Sequence, residues 1–195
     1  MNYPGGVKKE INSTQNTRKK NINYKNRGMT LENELNSSNE FYKEMGIAYI
    51  YKKPTPIKVT KVDYPSRDKA VIREAFYTIP STTDYNGIYQ GKYIDFEAKE
   101  TQSKTSFALE NIHKHQLKHI ENIYNSSGIA FLIVRFTSLN ETYLLPAKNL
   151  LDFLNNTTRK SIPIDFFRKN AYQIKDNYRP TIDYLKIVNK LIGGK

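Results

Sequence analysis

Between Ser81 and Glu100 the chain reads STTDYNGIYQGKYIDFEAKE, and Asp84, Asp95, Glu97 and Lys99 crowd around a Gln90-Gly91 pair. Gln-Gly between two strand-forming runs marks a two-residue hairpin turn. With Tyr89 facing Lys92, Asp84 falls opposite Glu97 and Thr82 opposite Lys99. Side chains alternate along a strand, so Ile94, Phe96 and Ala98 point one way and Asp95, Glu97 and Lys99 the other. Like charges opposed across a strand pair cost up to about 1 kcal/mol, and opposed carboxylates need either a shared proton or a cation. Mg²⁺ suits such a pair, because it prefers oxygen ligands and often takes one or two carboxylates plus waters and a substrate phosphate. It would polarise the phosphate and lower the pKa of a bound water. Lys99 beside it can hold the attacking water or stabilise charge developing on phosphorus. That is the equipment of a metal-dependent phosphodiesterase. The plain alternative is a polar outer strand face, for which Glu-x-Lys is a common pattern.

Gln116 bears on the same chemistry. It sits between Ile112 and Ile120 on a stripe that otherwise packs inward, and a buried amide needs partners. A metal's water shell, a phosphate oxygen or a backbone group would each serve. All three histidines, His113, His115 and His119, lie in this stretch. His115 and His119 have the spacing of a zinc pair, but no HExxH motif accompanies them and no third ligand is evident. A basic helix face near DNA is the better reading.

These residues need a scaffold. Thr30 is the N-cap type for a helix running to about Met45, with Gly46 as its stop. Leu31, Leu35, Tyr42 and Met45 would share its buried face. Ile47 to Tyr51 reads as a short, mostly buried strand. Residues 52–73 then break the pattern, because Pro54, Pro56 and Pro65 oppose a regular helix. That segment holds seven basic residues and two acids, with Ile57, Val59 and Val62 loosely alternating, and reads as a projecting insertion. After the hairpin, an apolar stripe predicts a helix from about Phe107 to Asn125, ended by Ser126-Ser127-Gly128. Ile129 to Phe136, IAFLIVRF, is the most hydrophobic run and reads as a central buried strand. A strand near Tyr143 to Pro146 and helices near Lys148 to Asn155 and Asp183 to Ile192 complete the expectation. The result is an α/β protein with a mixed central sheet flanked by helices.

The 195 residues suffice for one domain of ordinary size. There is no cysteine, which excludes disulfides and thiolate metal sites. No apolar run approaches the roughly 20 residues of a membrane span, and the first residues lack the apolar core of a secretory signal. A soluble cytoplasmic protein is expected. The formal net charge of +12 points to a polyanionic partner. Half of that excess lies in residues 1–27, with seven basic side chains against Glu10 alone. That segment reads as a flexible basic arm before a single domain at 28–195.

Several blocks of the sequence together resemble a known family. PSTTDYNGIYQGKYIDFEAKET, with KKPTPIKVTKVDYPSR before it and IHKHQ after it, is similar to the RecU-type Holliday junction resolvases of low-GC Gram-positive bacteria. NRGMTLENELNSSNEFY and the early YPGG also resemble that family. The resemblance spans Arg27 to about Pro146, and it is weaker in residues 5–24 and after Leu150. It implies a restriction-endonuclease-like core whose signature is an Asp followed by Asp/Glu-x-Lys, matched by Asp84 and Glu97-Ala98-Lys99. It implies that Thr82, Asp84, Glu97 and Gln116 surround Mg²⁺, that Lys99 stabilises the transition state, and that Glu32 supports the site from its helix. It makes residues 52 to about 78 a stalk entering the junction centre. Phosphate contacts are then expected from Arg27, Lys52, Lys53, Lys58, Lys61, Arg67, Lys69 and Arg73. A homodimer is implied, as are contacts with the RecA recombinase and the branch-migration motor. Two other readings stand beside this one. A restriction-type duplex endonuclease would use the same core, but it has less use for a basic, proline-rich stalk. A non-catalytic nucleic-acid-binding protein would use the charge alone and would not need Asp84 opposite Glu97.

Overall fold

Thr30 caps the first helix as its residue type predicts: its Oγ1 accepts the Asn33 N–H at 3.3 Å, and α1 runs from Leu31 to Glu44. This is seen in a computed structural model describing residues 30–78 and 82–193, so the arm at 1–27 lies outside the described residues. Gly46, at φ +66°, turns the chain out of the helix. Leu31, Leu35 and Tyr42 are buried as expected, but Met45 is 62% exposed, because the helix ends one residue before it. β1 follows at Ala48–Lys52.

The segment expected to project is a β-ribbon. β2 (Ile57–Asp63) and β3 (Val71–Tyr77) pair antiparallel with each other and join no other sheet. Every residue of β3 is exposed, as are the first five of β2.

The hairpin forms in the expected register. β4 (Tyr85–Tyr89) pairs with β5 (Lys92–Thr101) from Tyr85↔Phe96 to Tyr89↔Lys92. Gln90 and Gly91 both take positive φ, +49° and +71°, as a tight two-residue turn requires. β6 (Ser106–Ala108), α2 (Lys114–Asn125), β7 (Ile129–Phe136) and β8 (Glu141–Pro146) come next. They lead to α3 (Ala147–Asn155), β9 (Ser161–Pro163), α4 (Ile164–Asn170), β10 (Tyr172–Ile174) and α5 (Leu185–Gly193). The helix expected from about Phe107 therefore begins only at Lys114. Ser106 to Ala108 pairs instead with Ser161 to Pro163, which buries Phe107 completely.

The main sheet has the order β1-β4-β5-β7-β8-β10, with β5 and β7 parallel and the other neighbours antiparallel. It is a mixed sheet with helices on both faces. Phe131 and Ile133 of β7 pack in one core with α1 and α5, while Leu132, Val134 and Phe136 pack in the other with α2 and α3. A strand buried on both faces carries an almost unbroken apolar run, and IAFLIVRF is that strand. No helix among the described residues is long and apolar enough to cross a membrane.

Candidate active site

β5 delivers Asp95, Glu97 and Lys99 to the sheet face that α2 covers. Ile94 and Phe96 hold that orientation from the opposite face, where both are fully buried. Phe96 stacks on Tyr85 at 4.7 Å and on Phe131 at 4.8 Å. Burying side chains of this size contributes about 1.5–3 kcal/mol each. A one-residue slip would bring Ile94 and Phe96 to the polar face and drive both carboxylates into the core. The inward row thus sets where the chemistry points.

Glu97 is fully buried, and its Oε2 accepts the Asp84 N–H at 3.0 Å. The strand ladder stops at Tyr85↔Phe96, so Asp84 turns its amide to the Glu97 side chain instead of continuing the pairing. The Asp84 carbonyl accepts the Lys53 N–H at 2.7 Å. Thr82, expected opposite Lys99, therefore lies beyond the ladder, and its Oγ1 is 3.4 Å from the Thr83 carbonyl. Lys99 Nζ lies 2.6 Å from Glu97 Oε1, but the contact lacks hydrogen-bond alignment, and this buried oxygen has no hydrogen-bond partner. Burial pushes the Glu97 carboxyl up to about 7, with Lys99 pulling it down and Asp84 adding to the rise. The Tyr85 phenol is raised as well, by burial first and then by Glu32, Asp84 and Glu97. Those three carboxylates thus act together on a single phenol.

A second group of contacts centres on Asp95, which is fully buried. Its Oδ1 accepts the Thr83 hydroxyl. Its Oδ2 accepts Lys53 Nζ at 2.8 Å and Tyr93 OH at 2.9 Å, and lies 3.1 Å from His119 Nε2. Burial, aided by Asp95, raises the Tyr93 phenol above its ordinary value. His119 is accordingly not a free basic helix-face residue. Because a carboxylate only accepts, Nε2 carries the proton in this contact.

The remaining expected residues fall in three groups. Glu32 is exposed on α1 and pairs with Lys52 at 2.5 Å. Gln116 is buried at the first turn of α2, and its Oε1 accepts the His113 N–H at 3.0 Å, so a backbone group is one partner of this amide. The cations grouped with the insertion divide. Lys52 ends β1 and faces Glu32, and Lys53 turns inward to Asp95, so neither belongs to the exposed ribbon. Lys58, Lys61 and Lys69 are exposed, and Arg73 pairs with Asp63 across the ribbon at 2.5 Å. Arg67 opens a short 3₁₀ turn between β2 and β3. Arg27 lies outside the described residues. Lys53 and His119 are the functional candidates that sequence reasoning misplaced.

The donor set fits a hard cation. Glu97 supplies a buried carboxylate oxygen lacking a hydrogen bond, and Asp84 stands next to it. Among the described residues no three or more His, Asp or Glu side chains converge as a metal cluster. A cation here would have two carboxylates and would draw its other ligands from neutral oxygens, water or phosphate, as small hard divalent ions do.

A mixed sheet carrying an acidic pair and an adjacent lysine on one polar face defines a class of site suited to charged phosphodiesters. The family model described as Recombination protein U, RecU, matches residues 26–190, and the chain belongs to that family. The chain is 52% identical over 200 residues to the Holliday junction resolvase RecU of Staphylococcus epidermidis (strain ATCC 12228 / FDA PCI 1200), covering 98% of this chain and 96% of that protein. The same identity and coverage hold for the Holliday junction resolvase RecU of Staphylococcus aureus (strain N315). A solved structure of Archaeoglobus fulgidus Hjc, a Holliday junction resolvase, overlaps with a TM-score of 0.34 at 12% identity, over 50% of this chain and 77% of that one. That overlap is too slight to support an argument.

Proposed function

We propose that this chain is a Mg²⁺-dependent endonuclease that resolves Holliday junctions by symmetric phosphodiester cleavage, in homologous recombination and repair. Family membership and the 52% identity to proteins named as Holliday junction resolvases support the substrate. The observation that carries the chemistry is Glu97: a fully buried carboxylate that takes the Asp84 amide on one oxygen and faces Lys99 with the other. A buried carboxylate is costly unless paired, and a polar outer strand face would have left it in solvent.

Asp84 and Glu97 would hold Mg²⁺, helped by Thr82 and Gln116. When bound, the ion supplies charge neutralisation at the phosphate and an acidified water. Glu97 must shed its proton to take part, and at about 7 it does so within the working range of pH. The Asp84 amide holds the Glu97 carboxylate at a fixed angle. Lys99, about a quarter exposed, can keep its ammonium beside Glu97 or turn it to a phosphate oxygen carrying developing charge. Glu32 and Lys52 form a charge pair at the rim.

The exposed cations of the β2–β3 ribbon would meet the phosphates around the open centre of a four-way junction. The ribbon also exposes Ile57, Val59, Ile72, Phe76 and Tyr77. A lone two-stranded ribbon is marginal in water, and such surface supports a homodimer, whose two-fold axis would match two symmetric scissile strands. Contacts with RecA and the branch-migration motor, and a cytoplasmic setting beside the chromosome, follow from the family resemblance. The test is cleavage of a four-way junction and of its matching linear duplex, in Mg²⁺ and in EDTA. Paired nicks on the junction in Mg²⁺ alone are the expected result. Equal cutting of both substrates would favour the restriction-type reading, and binding without cutting would favour the non-catalytic one.

A further inference from the structure

We infer that Asp95 is a positioning residue that sets the spacing of the metal-binding side chains, and that Lys53, Thr83 and His119 are the contacts through which it does so. The inference rests on the nuclease reading above. Asp95 points to the same face as Glu97 but is not one of the expected ligands. It is fully buried, and its two oxygens receive four side-chain partners. A buried carboxyl group with that many partners is held in one place, because each hydrogen bond offsets the loss of water.

Three of the four partners come from other segments; the Thr83 segment and the His119 helix each carry a residue of the site, and Lys53 holds one by its backbone. Thr83 lies between Thr82 and Asp84. Lys53 donates its side chain to Asp95 and to Thr83 Oγ1, at 3.1 Å, while its backbone N–H holds the Asp84 carbonyl. His119 lies one helical turn after Gln116 on α2. Asp95 itself precedes Glu97 by two residues, on the same face of β5. A single carboxylate therefore ties together the Asp84 segment, the Gln116 helix and the Glu97 strand. Thr83 and Lys53 hold Asp84 from both sides, through its preceding residue and its carbonyl. Residues that orient metal ligands in this way typically cost 10–100-fold in metal affinity or activity when changed, as an order of magnitude.

The test is Mn²⁺ and Mg²⁺ binding by calorimetry on the full chain without DNA, with the rate of junction cleavage measured in parallel. Asp95→Asn should weaken Mn²⁺ binding by about 10-fold or more and raise the Mg²⁺ concentration for half-maximal cleavage to match. Junction binding in EDTA should stay as in the wild type. A merely structural Asp95 predicts a lower melting temperature with unchanged metal affinity and unchanged rate per folded molecule, and that result overturns the inference. Should Asp95→Asn fail to fold, His119→Leu and His119→Gln decide, since both leave Asp95 with Lys53, Thr83 and Tyr93. Leu should weaken Mn²⁺ binding, while Gln, whose amide reaches the place of Nε2, should restore most of it. Equal affinity in both His119 variants and the wild type overturns the inference. The parent reading is tested separately in the same runs: a wild type that neither binds Mn²⁺ nor cuts the junction sinks the nuclease assignment itself.

Discussion

Replacing Glu97 by Gln should make the metal-free protein more stable at pH 8 and leave it little changed at pH 4. The glutamine keeps an acceptor for the Asp84 N–H and removes only the charge. Burial raises the Glu97 carboxyl from 4.5 to about 7, so between those values the folded chain holds a proton that the unfolded chain has lost. Stability from this group is complete below pH 4.5 and is lost as pH rises through 7. At about 1.36 kcal/mol per pH unit, the gap amounts to about 3 kcal/mol. The opposing attraction of Lys99 is already included in that balance. For a chain of this size, 3 kcal/mol corresponds to roughly 6–12 °C in Tm. The assay is urea or thermal unfolding of wild type and Glu97→Gln in EDTA, at several pH values from 4 to 8. The stability difference between the two should open with pH in favour of the variant, which cancels titrations they share. Adding Mg²⁺ at pH 8 should stabilise the wild type and leave the variant unchanged, because ligand stabilises only the state that binds it. A difference that stays flat across this range, or that favours the wild type in EDTA at pH 8, would refute the account of Glu97 as a carboxylate whose burial outweighs the attraction of Lys99.

Three further outcomes are expected. Asp84→Ala or Glu97→Ala should abolish junction cleavage while binding persists, since phosphate contacts dominate affinity; full cutting by either variant would remove both from the site. Lys99→Ala should lower the cleavage rate by roughly a hundredfold or more, the scale of losing one preorganised charge-stabilising group, while Mg²⁺ half-saturation changes little; a normal rate would make Lys99 a bystander. Shortening the β2–β3 ribbon while sparing Lys52 and Lys53 should lower the ratio of junction to duplex affinity at fixed salt, in a variant first shown to be folded and dimeric; an unchanged ratio would place the selectivity elsewhere.

The β4–β5 hairpin was legible because its signals are local. Gln-Gly fixes the turn, and period-two alternation then sorts Ile94 and Phe96 from Asp95, Glu97 and Lys99 without reference to the rest of the chain. Thr30 and Gly46 bounded α1 for the same reason, and IAFLIVRF declared a two-sided burial. What stayed hidden depends on distant partners. Phe107 continues a helical stripe in the sequence, yet Ser161 to Pro163 captures it into a strand pair. β9 and β10 are short strands held by such pairings, α4 is a short helix held by burial of Ile164 and Phe167, and no periodic run announces them. Lys53 reads as one more cation of a basic insertion, and His119 as one more polar helix residue. Only the folded chain brings them to the same carboxylate, from 42 and 24 residues away.

The most direct test of the central claim is a crystal of the wild-type chain soaked in Mn²⁺, with the anomalous signal used to locate the ion. The account predicts a peak shared by the carboxylates of Asp84 and Glu97, near Lys99, that is lost in Asp84→Ala. A bound ion elsewhere, with these two carboxylates left unliganded while the same preparation cuts a junction, would contradict it.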